Sequence, residues 1–529
     1  MTVLPTSTIH RTWFHPLLLL VWTLLGAALR FTNLTAKPLW TDEFATIVFS
    51  LGHSFLTVPL DQPISAETLL EPLRYTPSTG ISDVVRHLLT ESNHPPLYFV
   101  LTHLWLRLFQ SSGEYISVWG VRSLSVLFGV AAIPAVYGLS RLALRSRLVG
   151  HIAAVLMALS PFGIYLAQEA RHYTLPMLWI LSSLSCLIVA VRALCNRTSL
   201  PLWVCLVWIG VNGLGLATHY FFALTLVAEA IVLAGLGSVQ LERWVGWFKP
   251  MSRFKPVALS QLPARGIWLR IGLVAVGTLA SGLVWLPFLQ RTQDSELTRW
   301  IYRDDRIGLA LLEPLAQLLG GWMTMLYLLP IQADNRAIAR ISIVLILLAA
   351  AWTAIQLYQG IRVAYGESQR QLPIVVLGGF VGAAIALFLG ITYVFGMDVT
   401  SAFRYNFVYF PAVMVLGGVG LAVRWQSGRR FVVIAIALFS LLGALTVITN
   451  LGYQKTHRPD LVTAAIQKHS HHPVLVAIAH HTHGQTGRLM GIAWEWQTHR
   501  SAVSDPLFLL AHQDQDERSP IRVLRRSLA

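Results

Sequence analysis

Thirteen apolar stretches separated by polar loops constrain this chain more than any other feature. They run, to within a few residues, over 16–32, 95–110, 119–140, 150–166, 173–191, 202–217, 219–238, 268–290, 308–330, 340–360, 373–396, 404–423 and 431–451. Most have the length that carries a helix across about 30 Å of hydrocarbon. Of the 529 residues 55% are hydrophobic and only 12% charged, where a soluble domain has about a quarter charged. The sequence therefore predicts an all-α polytopic protein, integral in the bilayer and crossing it many times.

The net charge of +15 sits mainly in short loops between apolar stretches, which points to membrane orientation and to no nucleic acid partner. The loops "RLALRSR" (141–147), "LERWVGWFKPMSRFK" (241–255) and "RWQSGRR" (424–430) are basic and poor in acids, as cytoplasmic loops are. Thirteen full crossings would place the first two outside. If 95–110 and 308–330 are interfacial or re-entrant, every basic loop falls inside. The expectation is eleven to thirteen membrane helices. Either odd limit, with a cytoplasmic N-terminus, puts the first loop and the C-terminal tail outside. The first stretch follows Arg11 and no small-residue cleavage site follows it, so it reads as an uncleaved helix. Cys186, Cys195 and Cys205 lie in or beside apolar stretches without metal-type spacing and imply no disulfide framework.

Residues 1–451 thus read as a transmembrane domain with a long first extracytoplasmic loop, 33–94. Residues 452–529 read as a short polar tail, open to folding as a small α/β segment. Further long loops span 239–267 and 291–307, and long loops in a compact chain tend to be functional.

The unusual polar groups fall at the ends of the apolar stretches, on one side in the charge-favoured arrangement. "PLWTDEFATIVFS" (38–50) carries the adjacent acids Asp42 and Glu43. One of them, or Thr41, could cap the helix that follows; a carboxylate there could equally take a proton from an incoming hydroxyl. Trp40 reads as an interfacial anchor. In "ESNHPPLYF" (91–99) two prolines hold His94 at a helix entry. "QEARHY" (168–173) packs Glu169, Arg171, His172 and Tyr173 beside hydrocarbon. There either Glu169 and Arg171 pair, or Arg171 clamps a phosphate through its planar fork. "THYFF" (218–222) supplies His219 and Tyr220, and "SAFRYNFVYFP" (401–411) supplies Arg404 and Tyr405. The 291–306 loop, with Arg303, is an ordinary solvated loop or an acceptor-binding lid. The histidines 471, 472, 480, 481 and 483 flank a buried-looking strand, "VLVAIA", without Cys or carboxylate partners. No phosphate-cradling Gly loop is present in the sequence.

With "WTDEF", "NHPPLYF", "QEARHY", "THYFF" and "RYNFVYFP" in this order over 38–411, the sequence resembles the GT-C superfamily of polytopic glycosyltransferases. The branch it resembles holds protein O-mannosyltransferases, the aminoarabinose transferase and bacterial relatives. The resemblance implies an inverting transfer of a monosaccharide from a polyprenyl-phosphate donor to a hydroxyl of a lipid, polysaccharide or protein, on the extracytoplasmic face of a bacterial plasma membrane. Asp42 would be the general base, with Glu43 assisting or orienting. Arg171 and Arg404, with Tyr405, His94 and Tyr173, would bind the donor phosphate. Glu169, His172, His219, Tyr220 and Arg303 would line an acceptor or sugar pocket. Some relatives carry an acid-rich motif where this chain reads "SNHPP", so a divalent metal stays open as the one candidate cofactor. The rivals are a transporter or flippase of lipid-linked sugars, which should show internal repeats, and a membrane scaffold. Neither the sugar nor the acceptor is legible in the sequence.

Overall fold

A computed structural model describes residues 6–109, 113–237, 265–292, 296–302, 306–470, 472–499, 505–514, 516 and 518–528. Helix α1 (Thr6–Phe31) leads to a loop-borne group of short helices, α2 (Thr41–Ser50), α3 (Ala66–Leu70) and α4 (Ile81–Glu91), and then α5 (Leu97–Leu106). The bundle continues with α6 (Val118–Leu144), α7 (Arg147–Leu159), α8 (Pro161–Ala167), α9 (Thr174–Asn196), α10 (Leu202–Thr218) and α11 (Phe222–Gly237). Next come α12 (Arg265–Leu283), α13 (Leu286–Thr292), α14 (Glu313–Leu326), α15 (Arg336–Tyr365), α16 (Ser368–Val394), α17 (Phe410–Gln426) and α18 (Arg430–Ile448). The tail adds α19 (Pro459–His469), β1 (Leu475–His480), α20 (His483–Thr498), β2 (Leu507–His512) and α21 (Ser519–Leu528).

Every apolar stretch of the sequence forms a helix or consecutive helices. Among the described residues 8 helices are long and apolar enough to cross a membrane, or 9 if the bent pair α7–α8 is one span, with four shorter apolar helices besides. The expected eleven to thirteen is reached only when shorter ones are counted. Helix α5, at 10 residues, reaches about 15 Å, half the hydrocarbon thickness. The bundle core is drawn largely from α6, α7, α9 and α17, with Val136, Ala153, Leu187 and Val415 fully enclosed.

The 58° bend between α7 and α8 has a specific cause and a specific support. Pro161 opens α8 and has no N–H, so the Met157 carbonyl four residues back loses its helical donor. Arg30, wholly buried at the end of α1, supplies replacements: its Nη2 donates to Met157 O at 2.8 Å and its Nη1 to Ala158 O at 3.0 Å. Ser160 Oγ caps α8 by accepting from Gly163 N at 3.0 Å. The chain emerging from α8 is thereby aimed into the turn 168–173.

The first loop and the tail make one layer on the bundle. Strands β1 and β2 pair in parallel from Leu475↔Leu507 to His480↔His512. Ile64 of the first loop pairs with Phe508 in the antiparallel sense, and Asp61 N donates to Leu510 O at 2.9 Å. A second hydrophobic cluster joins Phe44, Ile47, Leu69 and Leu70 of the loop to Leu489, Met490 and Phe508 of the tail. Strand β1 is half-buried, less enclosed than its apolar sequence suggests.

Candidate active site

The two acids of the first loop have different fates. Neither caps α2: the N-cap is Trp40, with no side-chain hydrogen bond. Glu43 is fully buried. Arg122 of α6 grips it with two parallel bonds, Nε to Oε1 and Nη2 to Oε2, each 2.8 Å. Ala170 N donates to Oε1 at 2.8 Å, so both Glu43 oxygens are engaged and shut from solvent. Arg122 also donates to the carbonyls of Leu34 at 2.8 Å and Lys37 at 2.9 Å. This knot clamps the loop before α2 against the turn 168–173, which fixes the place of Asp42. The Asp42 side chain is 31% exposed and faces two guanidinium groups.

Arg171 is buried and well bonded. Its Nη1 donates to Asp42 O and to Thr46 Oγ1, each at 3.0 Å, and its Nη2 lies 3.0 Å from His94 Nε2. Arginine only donates, so His94 accepts on Nε2 and is a neutral imidazole with its hydrogen on Nδ1. Burial, and next the charge of Arg171, push the His94 pKa well below its ordinary value. From Asp42 Oδ2, Arg171 Nη2 lies 3.8 Å away.

Arg404 is different. It approaches Asp42 Oδ2 at 3.6 Å, beyond hydrogen-bond length, and among the described residues its guanidinium donates no hydrogen bond. It is held by aromatic faces instead: Trp40 at 5.2 Å, Tyr405 at 5.6 Å and Trp300 at 5.8 Å from its Cζ to the ring centroids. The Arg404 side chain is only 17% exposed, so it does not snorkel to solvent.

Behind the arginines lies a wall of rings. His172, fully buried, sits 4.5 Å from His219, 5.2 Å from His94 and 4.7 Å from Tyr173 between centroids. Among the described residues neither His172 nitrogen has a hydrogen-bond partner. Burial is the main reason the pKa values of His172 and His219 fall well below normal. His219 Nδ1 accepts from Phe221 N at 3.0 Å, and Tyr405 packs on Phe221 at 4.4 Å.

Glu169 does not pair with Arg171, as one reading of the sequence had it; it pairs with Lys455 of the tail. Lys455 Nζ also lies 3.7 Å from the centroid of the Trp40 ring, whose other neighbour is Arg404. Trp40 is thus a cation-lined ring inside the site. A small pocket opens here among Lys37, Trp40, Glu169, Gln454 and Lys455. The Lys37 ammonium is shut from solvent with no hydrogen-bond partner among the described residues, and burial pushes its pKa down to about 7.

Asp42, His94, Glu169, Arg171, His172, Tyr173, His219, Arg404 and Tyr405 are therefore brought together. Tyr220 is half-buried and no described side-chain contact joins it to them. Arg303 lies outside the described residues, as does His471. Sequence reasoning missed Arg122, Lys37 and Lys455; the only available signal was a basic residue at the edge of an apolar stretch, which is common in membrane proteins. Among the described residues no group of three or more His, Cys, Asp or Glu is spaced to hold a metal ion. His480 instead bonds Thr486 Oγ1 at 3.0 Å, and His483 stacks on Phe55 at 4.9 Å.

This architecture, an apolar helical bundle capped by a loop-and-tail layer over a cluster of ionic side chains, is shared as a fold with solved membrane-protein structures. Among solved structures, ArnT from Cupriavidus metallidurans bound to undecaprenyl phosphate matches 92% of this chain and 89% of its own, at 13% identity and a TM-score of 0.50. The apo state of ArnT matches with a TM-score of 0.45, at 13% identity over 88% of each chain. The archaeal oligosaccharyltransferase AglB from Archaeoglobus fulgidus, in complex with an inhibitory peptide and a dolichol-phosphate, matches 91% of this chain at 13% identity and a TM-score of 0.47. This chain covers 64% of the AglB chain. The match to lipid-bound ArnT carries the fold. No family model and no curated protein sequence matches the chain.

Proposed function

We propose that this chain is an integral-membrane inverting glycosyltransferase. It moves a monosaccharide from a polyprenyl-phosphate donor to a hydroxyl of a lipid, glycan or protein acceptor. The observation that carries this reading is Arg404, a cation enclosed by three aromatic rings whose N–H donors are unused among the described residues, 3.6 Å from the one half-open carboxylate. The Arg404 Nε, buried without a partner among the described residues, is costly to leave unbonded. A phosphate oxygen pair satisfies guanidinium donors in the planar geometry arginine presents.

In the reaction the acceptor oxygen attacks the anomeric carbon, its proton passes to Asp42, and the carbon–oxygen bond to the phosphate breaks with inversion. Arg404 and Arg171 take up the charge that develops on the departing phosphate, from positions fixed before reaction. Glu43, held by Arg122, positions Asp42 rather than accepting a proton. His94 is a neutral acceptor that orients Arg171. The donor arrives through the bilayer, so no nucleotide site is required. The extracytoplasmic face of a bacterial plasma membrane is the side the loop charges favour.

The test is turnover of a labelled polyprenyl-phosphate sugar by purified protein with added acceptors. Asp42→Asn should abolish transfer while the protein stays folded and still binds the lipid phosphate. Wild-type transfer by that variant would overturn the base assignment.

A further inference from the structure

Well inside the helical bundle, four helices are joined by a chain of polar side chains that the reaction does not use. Ser183 Oγ on α9 is its centre. Trp208 Nε1 of α10 donates to it at 2.8 Å, Asn212 Oδ1 of α10 lies 3.0 Å away, and Glu229 Oε2 of α11 lies 2.9 Å away. Asn212 Nδ2 reaches on to Thr278 Oγ1 of α12 at 3.0 Å. Ser183, Asn212 and Glu229 are buried, with Glu229 3% exposed. Ionisable residues at such depth are rare and have identifiable roles.

Two independent features fix the protonation of Glu229. The first is its surroundings. Among the described residues it has no ion-pair partner, its Oε1 has no hydrogen-bond partner, and the buried thiol of Cys186 is a neighbouring titratable group. An ionised carboxylate with only the Ser183 hydroxyl and the Trp208 N–H beside it, and no cation, is disfavoured in an apolar interior. The second is the hydrogen count. Trp208 can only donate, so its hydrogen occupies Ser183 Oγ as an acceptor. With Asn212 Nδ2 turned to Thr278, the one Ser183 hydrogen goes to Asn212 Oδ1. The remaining short contact, Ser183 to Glu229, then needs its hydrogen from the carboxyl group.

We propose that Glu229 is a neutral carboxylic acid at neutral pH that donates to Ser183, and that in this form it is a positioning residue for the site. Ser183 lies nine residues into α9, about 14 Å from the end that carries His172 and Tyr173; Glu229 lies seven residues into α11, about 10 Å from the end that carries His219. The bond therefore pins together the two helices whose ends bring His172 and His219 to 4.5 Å. An acid that donates holds this spacing; an ionised one would lose the donor and draw water between α9 and α11.

Infrared difference spectroscopy on the full-length protein in lipid nanodiscs tests the protonation directly. The C=O stretch of a protonated carboxylic acid should persist from about pH 5.5 to about pH 7, a range in which a free carboxyl is ionised, and should vanish in Glu229→Gln. Loss of that band within this range in the wild type would overturn the neutral-acid assignment. Positioning is read from the imidazole resonances of protein labelled at histidine. The His219 signal should move in Glu229→Ala and stay in place in Glu229→Gln, whose amide still donates to Ser183. An unmoved His219 signal in the alanine variant, or an equal shift in both, would overturn the positioning role. Neither readout requires transfer activity, so failure of the transferase reading and failure of this one are separable.

Discussion

The Arg404 guanidinium stops 3.6 Å short of the Asp42 carboxylate, close enough for attraction and too far to spend its donors on it. A tight ion pair would neutralise both groups and leave neither available. The aromatic faces of Trp40, Tyr405 and Trp300 hold the cation in this position, so Asp42 keeps lone pairs for a proton and Arg404 keeps N–H groups for an anion.

Arg404→Ala should raise the donor KM about 10–100-fold, the worth of a charged hydrogen-bond set of about 1.5–3 kcal/mol. Its thermal midpoint should hold or rise, because no described hydrogen bond is lost. Arg404→Lys should recover only part of the affinity, since a point charge replaces a planar fork. Kinetics over a donor concentration series, with melting curves alongside, checks both halves. An unchanged KM in the alanine variant would remove Arg404 from the phosphate site.

Glu43 should behave in the opposite way. Removing it strands Arg122 as a buried, uncompensated cation, and breaking such a pair costs about 3–5 kcal/mol. Glu43→Ala should therefore express poorly and melt early, where Asp42→Asn melts like the wild type. Comparing the two by thermal unfolding in lipid separates an acid that holds the fold from one that carries the chemistry. Equal stability of the two variants would contradict the roles assigned.

The helices were legible in the sequence because lipid exposure forces long apolar runs, and each of the thirteen appears as a helix. The gathering of Asp42, His94, Arg171 and Arg404 was legible too, since polar groups at helix ends have few places to go. What could not be read was pairing. Asp42 and Glu43 are neighbours of like chemistry, and only the three-dimensional position of Arg122, 79 residues away, tells them apart. Of the two readings of "QEARHY", the Glu169–Arg171 pair rested on nearness in sequence, whereas the cation of Glu169, Lys455, comes from beyond the last membrane helix.

Close packing in the bundle gives a further prediction. Helices α15 and α17 approach so closely at Gly360 that an added Cβ would collide with the Gly420 carbonyl oxygen. Small residues permit such contacts between membrane helices. Gly360→Leu should destabilise by about 1–3 kcal/mol or more by forcing the helices apart, visible as a lower melting midpoint and a broadened elution profile. A control at Gly378, which has open space around it, should behave as the wild type.

The histidines impose a pH dependence whose sign can be worked out. His94, His172 and His219 lie in loops at the site, and burial holds their pKa values well below 6.5 in the folded protein. Below about pH 6.5 the unfolded chain takes up protons there that the folded chain does not, so stability falls as pH falls through that window and is unaffected above it. Protonation would also place positive imidazolium rings against Arg171 and remove the acceptor that orients it. Melting midpoints measured from about pH 8 to about pH 5 should therefore decline on the acid side. His172→Phe, which keeps the ring in an unbonded buried slot, should flatten that decline without lowering the midpoint at neutral pH. A slope identical to the wild type in this variant would show that His172 is not among the groups that set acid stability.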